Sequence, residues 1–365
     1  MKVDEVVRRG RPEPEPARLG DAVSLVLARI LPALTPADLG RDWSALGLDS
    51  FDLLTLRLAV EEALGGEIED GDWIRATTPA RLSGLALRPA HRDKDRSAPG
   101  LSAEETVALG MPQMAMGGLS ESWLLKHLGD LHWRLVGRAL DMPPSEIKDS
   151  LGNRLYPTFT RVRFAASSPL ARFEEGERLC FRASLSRFGA GIFFADILVQ
   201  GEAGRSIEAQ LMSSFAHRGG AGNRALRRAQ PVLPGLCAAA ALPEMPQFGR
   251  VYHQRRRARN AARPVLGRCG YQLVPHYDIN GVGLLYYAAY PMIADACHMR
   301  VSGAGAAAAM ETSIVERDIF YFANADAGAA LEWRLHRDEK RASLSSIVRD
   351  DGIVMALVAG RKVAA

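Results

Sequence analysis

Two stretches of the chain set reactive groups where chemistry could begin. In Leu46-Gly47-Leu48-Asp49-Ser50-Phe51-Asp52-Leu53-Leu54, a serine stands where a loop enters a helix. A hydroxyl there is exposed, and Asp49 and Asp52 beside it offer an acidic surface to a basic partner, although an ordinary helix cap uses the same residue types. In His276-Tyr277-Asp278-Ile279-Asn280-Gly281-Val282-Gly283-Leu284-Leu285-Tyr286-Tyr287-Ala288-Ala289-Tyr290, Asn280-Gly281 marks a turn and an apolar helix is expected to follow at once. The free N–H groups of Gly281 to Gly283 at such a helix start would suit a carbonyl oxygen. A basic run, Arg255-Arg256-Arg257-Ala258-Arg259, fits either a solvated face or a clamp for phosphates or an acidic protein. It has no interleaved aromatics, which disfavours nucleic acid. His127 and His132 are five apart, not the four of a zinc helix, and the four cysteines form no CxxC pair, so no metal site is expected.

The elements that must carry these groups fall into two blocks. Residues 1–19 alternate proline with charge and read as a disordered tail. Residues 20–88 read as a small helical module: a helix over 21–34, a second from Ser50 to about Leu64, and a short last helix opened by Thr78-Pro79. Residues 89–102 have linker composition. From 103 to 365 the pattern is α+β: a helix over Ser120–Leu140, strands at Phe159–Phe164, Arg178–Phe188, Gly191–Gln200 and Ser206–Arg218, then a proline-rich crossing. A second block repeats this with a helix near Gly283–Met299 and strands at Arg317–Asn324, Leu331–Arg337, Arg341–Arg349 and Gly352–Ala359. The halves lie at about 103–235 and 250–365.

Charge separates the blocks as well. The 365 residues carry a formal +4, yet residues 20–87 hold 11 Asp and Glu against 5 Arg and no Lys, a net of −6, which leaves +10 elsewhere. Opposite potentials of this kind steer a carrier toward its enzyme. With 47% hydrophobic and 24% charged residues the composition is that of a globular protein. No signal peptide or membrane-length apolar run is visible, and thiols suit a reducing, cytoplasmic setting.

The acidic module, with LGLDSF at its second helix and TTP before its last, resembles an acyl carrier protein of the polyketide or peptide-synthetase type. The resemblance implies a four-helix bundle with 4′-phosphopantetheine on Ser50, attached by a phosphopantetheinyl transferase. Phe51 stands where leucine or methionine is commoner. The HYDINGVG segment resembles the turn before the central helix of hot-dog thioesterases, where the second acidic position often activates water. Here that position is Asn280, which donates hydrogen bonds but is no base.

Together with Gly110-Met111-Pro112-Gln113, Gly117-Gly118-Leu119-Ser120-Glu121-Ser122-Trp123, Gly152-Asn153-Arg154-Leu155-Tyr156-Pro157-Thr158-Phe159 and Tyr321-Phe322-Ala323-Asn324-Ala325-Asp326, this segment resembles the double-hot-dog bifunctional acyltransferase/decarboxylases of polyketide assembly, typified by the leinamycin-pathway enzyme. The resemblance implies transfer of a methylmalonyl-type group from coenzyme A, loss of carbon dioxide, and loading of propionyl onto a carrier protein or synthase module. It makes Tyr156, in YPTF, the acyl nucleophile. A phenol of pKa about 10 gives an ester that exchanges almost evenly with a thiol of about 8.5. Decarboxylation needs enolate donors and apolar walls. Candidate donors are Asn280, Gly281, Gly283, Gly117 and Gly118. Candidate walls are Trp123, Tyr286 and Tyr287, with Arg255 and Arg256 for substrate phosphates. The competing readings are a dehydratase or thioesterase acting on a carrier-bound chain, and a module that only docks carriers. No His/Asp dehydratase motif is found.

Overall fold

The computed structural model describes residues 19–30, 34–48, 50–64, 66–85, 88–89, 101–116, 118–220, 222–233, 237–303, 311–339 and 341–365. The chain divides into two compact units, residues 1–92 and 93–365. The tail at 1–18 and most of the 89–102 linker lie outside the described residues.

The first unit holds helices α1 (Leu19–Ile30), α2 (Ser50–Leu64), α3 (Asp70–Arg75) and α4 (Pro79–Ser83). Val23 and Leu27 of α1, Leu56 and Val60 of α2, and Leu82 of α4 share one buried cluster with Trp43 and Ile68. Thr78 caps α4: its Oγ1 accepts from the Arg81 N–H at 3.2 Å, and Pro79 occupies the first turn, where no N–H is needed. The Trp43 indole donates to the Ala76 carbonyl at 2.5 Å, fixing the loop before α2.

In the second unit each half runs strand, helix, four strands. The first half contains β1 (Leu101–Ala108), α5 (Glu121–Ala139), β2 (Tyr156–Ala166), β3 (Arg178–Phe188), β4 (Ile192–Gln200) and β5 (Ser206–Arg218). After α6 (Gln247–Arg257) come β6 (Gly267–Gln272), the short α7 (Pro275–Asp278), α8 (Ala289–Ser302), β7 (Thr312–Tyr321), β8 (Ala330–Glu339), β9 (Ala342–Arg349) and β10 (Val354–Ala364). The main strands order as β1-β3-β4-β5-β2-β7-β10-β9-β8-β6 in one sheet. Each half thus has the order first, third, fourth, fifth, second, and the two second strands pair antiparallel at the centre, with Ile319 opposite Val162.

Helix α5 begins where Ser120 Oγ accepts from the Trp123 N–H at 3.3 Å and buries Leu124, Leu125, Leu128, Leu131 and Leu135 on the sheet. Helix α8 starts at Ala289, six residues later than the sequence suggests. The preceding residues close on themselves, with Ile279 bridging Leu285, before the helix can start. Pro291 then falls in its first turn, where a missing N–H costs nothing. Strand β1 begins at Leu101, two residues inside the expected linker.

Seam residues are charged as well as apolar. Arg317 on β7, 2% exposed, makes a two-point contact with Glu121 of α5 at 2.7 and 2.8 Å and reaches Asp295 of α8 at 2.8 Å. Lys362 of β10 adds a contact to Asp295 at 3.4 Å. This network ties the helix of one half to the strands of the other. Burial alone would raise the Asp295 carboxyl, but Arg317 and Lys362 hold it below the usual range. Across the other side of the seam, Arg161 grips Asp318 at 2.9 and 2.7 Å and donates to the Phe248 carbonyl of α6 at 2.8 Å.

Candidate functional site

Tyr156 opens β2, and two guanidinium groups lie over its ring, Arg154 at 5.3 Å and Arg218 at 5.0 Å from the ring centre. Arg154 is delivered by a small hairpin in which Lys148 bridges Arg154. Asp149 holds that hairpin, its Oδ1 accepting from the Leu151 and Asn153 N–H groups at 3.0 and 2.8 Å. Arg218 ends β5, whose Ala216 pairs with Tyr156, so the two side chains share a face. From there Arg218 Nη2 donates to the Val282 carbonyl at 2.6 Å. One arginine therefore joins the tyrosine to the Asn280–Gly283 turn, two segments more than 120 residues apart.

The turn itself is bound from several sides. Asn280 Oδ1 accepts from the Val282 N–H at 3.1 Å and from the Leu284 N–H at 2.9 Å, and the Gly283 N–H donates to the Asn280 carbonyl at 2.9 Å. Asn223 Nδ2 donates to the Gly283 carbonyl at 2.5 Å and the Ala325 carbonyl at 2.8 Å, while Asp326 accepts from the Asn223 N–H at 2.6 Å. Asn324 Oδ1 accepts from the Leu285 N–H at 2.9 Å. These bonds overturn one expectation. The N–H groups of Val282 and Gly283 are consumed inside an asparagine-closed turn and do not form an open donor set; the Gly281 N–H has no partner among the described residues. Gly283 has a φ of +81°, the left-handed region that favours glycine, and a Cβ there would stand 3.3 Å from Arg218 Nη2. Asp278, fully buried, accepts from the Val274 N–H at 2.7 Å and the Tyr271 hydroxyl at 3.2 Å, which supports the turn from beneath.

The remaining candidates separate. Tyr287 is half-buried and packs against Phe159 (ring centres 4.4 Å apart), and its hydroxyl donates to the Leu125 carbonyl at 2.5 Å. It sits so close to α5 that a Cβ on Gly129 would meet its oxygen at 1.9 Å. Tyr290 and Tyr321 likewise donate to the carbonyls of Ala323 at 3.3 Å and Tyr287 at 3.0 Å. Burial raises the phenols of Tyr287, Tyr290 and Tyr321, so they stay protonated. Tyr156, half-buried, has a hydroxyl with no partner among the described residues. Tyr286 carries the Lys126 ammonium 5.4 Å from its ring centre. Trp123 stacks on His127 at 5.0 Å and meets Phe181 edge-on at 6.3 Å, placing it over the β3 side of α5 and not beside Tyr287. The expected single apolar wall is therefore not assembled from Trp123, Tyr286 and Tyr287. Gly118, at φ +94°, lies 2.4 Å by its would-be Cβ from the Leu170 carbonyl, a packing role. Arg256 is buried and donates to the Tyr252 hydroxyl at 3.2 Å, so it is no phosphate clamp; Arg255 beside it is exposed on α6. Gly117 and Asp49 lie outside the described residues, and Ser50 is the first residue of α2.

Arg154, Arg218 and Asn223 escape a reading of the sequence. Arg154 precedes YPTF and could be suspected from that position, but nothing local marks Arg218 or Asn223. An open groove of about 780 Å³ on the sheet, lined by Glu104, Arg163, Arg182, Asp196, Glu208 and Gln210 among others, contains none of the candidates. No group of three metal-ligating side chains occurs among the described residues.

His132 on α5 is fully buried, contacts Ser213 Oγ through Nε2 at 2.8 Å, and has its pKa pushed down to about 3 by burial. Its unfolded counterpart titrates near about 6.5. Between these values the unfolded chain binds the extra proton, so this contribution to stability is complete above about pH 6.5 and is lost on acidification toward 3. Urea unfolding followed over that window should show a slope of up to about 1.4 kcal/mol per pH unit from this group. His132→Gln should remove that part of the slope.

Residues 21–86 match the family model described as "Phosphopantetheine attachment site". The first unit is thus a phosphopantetheine-binding carrier domain, with Ser50 inside the matched segment. No curated protein sequence matches the chain. Among solved structures, an acyl-ACP thioesterase from Bacteroides thetaiotaomicron is similar at TM-score 0.51 and 10% identity, over 72% of this chain and 98% of that one. A 12:0-ACP thioesterase from Umbellularia californica gives TM-score 0.50 and 10% identity over 73% and 98%. At these identities the likeness concerns the fold: the sheet-and-helix unit is hot-dog-like. The chain therefore joins a carrier domain to a fold found in acyl-thioester-processing enzymes. No helix among the described residues is long and apolar enough to cross a membrane.

Proposed function

We propose that the second unit is a double hot-dog acyltransferase/decarboxylase that loads a carrier protein, with halves at about 103–235 and 250–365. The repeated strand order supports the duplication. We read the carrier as a four-helix bundle, with pantetheine on Ser50 installed by a phosphopantetheinyl transferase. The substrate in this reading is a methylmalonyl-type thioester of coenzyme A, and the acceptor is the pantetheine thiol of Ser50 or of a separate carrier or polyketide synthase module in the cytoplasm.

The observation that carries the reading is Tyr156, whose hydroxyl has no partner among the described residues and whose ring meets both Arg154 and Arg218, the second of which is anchored to the Asn280–Gly283 turn. In the transfer step the phenol oxygen attacks the thioester carbonyl, the C–S bond breaks, and the coenzyme A thiolate leaves and takes up the phenol's proton. Loss of carbon dioxide from the acyl group leaves an enolate that is protonated at carbon. The carrier thiol then attacks the aryl ester and returns the phenol. Asn280 in place of an acid, with its carbonyl oxygen already accepting two N–H groups, disfavours activation of water there.

The fold likeness to acyl-ACP thioesterases favours hydrolysis as the second reading. The two separate by acceptor dependence. A loader incubated with methylmalonyl-coenzyme A and no carrier thiol should release at most about one equivalent of coenzyme A per Tyr156, then stop until an acceptor is added. Continuous release without acceptor would establish a thioesterase and sink the transfer reading. Ser50→Ala should abolish the mass increment of pantetheine after incubation with coenzyme A and a phosphopantetheinyl transferase. An increment that survives the substitution would place the attachment elsewhere.

A further inference from the structure

Two of the four cysteines meet across elements of the second half. Cys269 is half-buried on β6, at the edge of the sheet, and Cys297 is fully buried on α8. Their approach follows from the packing of those two elements. Gly267, Cys269 and Tyr271 share the inward face of β6, while the residues between them are exposed. A Cβ on Gly267 would meet Val301 Cγ1 at 2.6 Å, so the strand lies directly on α8 there. Two residues along a strand advance about 6.8 Å, and four residues along one face of a helix advance about 6 Å. The step from Gly267 to Cys269 on β6 therefore matches the step from Val301 to Cys297 on α8, and the two sulfurs face each other. The contact is direct. The Cys297 thiol hydrogen-bonds to Cys269, whose own thiol donates to the Gly270 carbonyl at 3.4 Å. Burial, with that bond, pushes the Cys297 thiol up to about 12, which shields it from direct attack. Cys180 instead donates to Glu104 at 3.6 Å.

We infer that Cys269 and Cys297 are a redox modification site: hydrogen peroxide converts them to a disulfide that fastens the edge strand β6 to α8. The Cys269 sulfur, the more exposed of the two, attacks a peroxide oxygen. The O–O bond breaks, Cys269 becomes a sulfenic acid, and the departing hydroxide takes the Cys269 proton as water. The Cys297 sulfur then attacks the sulfenic sulfur, the S–O bond breaks, and that hydroxide takes the Cys297 proton as a second water. The thiols give up two electrons in all, and the peroxide is reduced to water. An S–S bond of about 2.05 Å draws the sulfurs closer than a hydrogen bond does. Strand β6 is the element free to give, since among the described residues it pairs with β8 alone. Tyr271 already ties the same strand face to Asp278 at 3.2 Å. With the disulfide closed, β6 is held at both places, beneath the Asn280–Gly283 turn. In a reducing setting the pair rests as thiols, and the modification is transient. None of this depends on which acyl reaction the unit performs.

The test is peroxide treatment of the reduced full-length chain, then alkylation in urea and mass spectrometry. Trypsin cuts after Arg268 and Arg300 and nowhere between, so peptide 269–300 carries both cysteines and neither of the other two. That peptide should lose two hydrogens, resist alkylation, and recover both alkylations after dithiothreitol. Hydrogen exchange of the β6 amides should slow in the oxidised chain. Cys297→Ala should let Cys269 proceed to sulfenic and sulfinic acids, and Cys269→Ser should leave Cys297 alkylatable throughout. The second variant alters a half-buried edge position, so the test stands even where loss of the buried sulfur disturbs the fold. A peptide that stays doubly alkylated under peroxide would overturn the inference. So would oxygen gained on Cys269 of the parent while Cys297 stays alkylatable. Unchanged exchange in β6 on oxidation would overturn the claim that the strand is fastened.

Discussion

Tyr156→Phe should lower carrier loading by more than about a thousandfold while leaving the thermal unfolding midpoint within a degree or two of the parent. The substitution removes one oxygen and keeps the ring, so the contacts with Arg154 and Arg218 survive. Because that hydroxyl has no partner among the described residues, its removal leaves no buried polar group unsatisfied. Loss of acyl transfer without loss of fold is what an acceptor predicts. A hydrogen-bonded tyrosine serves as the control: Tyr287→Phe abandons the Leu125 carbonyl and should act on stability instead, by about 1–3 kcal/mol. If loading by Tyr156→Phe stays within tenfold of the parent, the covalent acceptor is another residue.

Arg317→Met is expected to have the largest effect on folding. It deletes the cation between Glu121 and Asp295, leaving Glu121 without that partner and Asp295 with Lys362 alone at the seam of the halves. Breaking a buried pair from one side costs about 3–5 kcal/mol, which is a large part of the stability of most domains. Urea denaturation of the variant, followed by intrinsic fluorescence, measures the loss. Replacing Glu121 with Gln in the same chain should restore part of it, because one of the stranded charges is then gone. A loss below about 1 kcal/mol would show that water reaches the network and that the seam is held by its apolar residues alone.

How much of this was legible depended on the range of the interaction. Helix α5 announces itself through Leu124, Leu128, Leu131 and Leu135 at helical spacing, and β3 to β5 through alternation. The first strand of each half has no strand pattern in the sequence. LSAEETVA in β1 carries two glutamates, and GRCGYQ in β6 carries two glycines, so at the sheet edges neither shows a strand composition, and pairing with β3 and β8 decides the matter. The Asn280-Gly281 turn was visible, but whether its N–H groups point outward or are closed by the asparagine's own oxygen is a question of side-chain geometry that the letters do not carry. Arg218 becomes a candidate only when β5 lies beside β2. Arg256 looked like part of a uniform basic run, and helical periodicity turned it inward against Tyr252 while Arg255 stayed in solvent.

The carrier was the most legible part because its signal is local: an acidic stretch, a serine at a helix start, and a threonine–proline cap within 66 matched residues. The chemistry of the second unit was less so, since hot-dog-like folds host several reactions and the choice falls to a few side chains.

The account is tested most directly by the mass of the intact pantetheinylated protein after a single exposure to methylmalonyl-coenzyme A. A propionyl increment that resides on the Ser50 pantetheine and disappears in Tyr156→Phe is the predicted result. An unchanged mass accompanied by free methylmalonate or propionate in solution would contradict it and establish hydrolysis in its place.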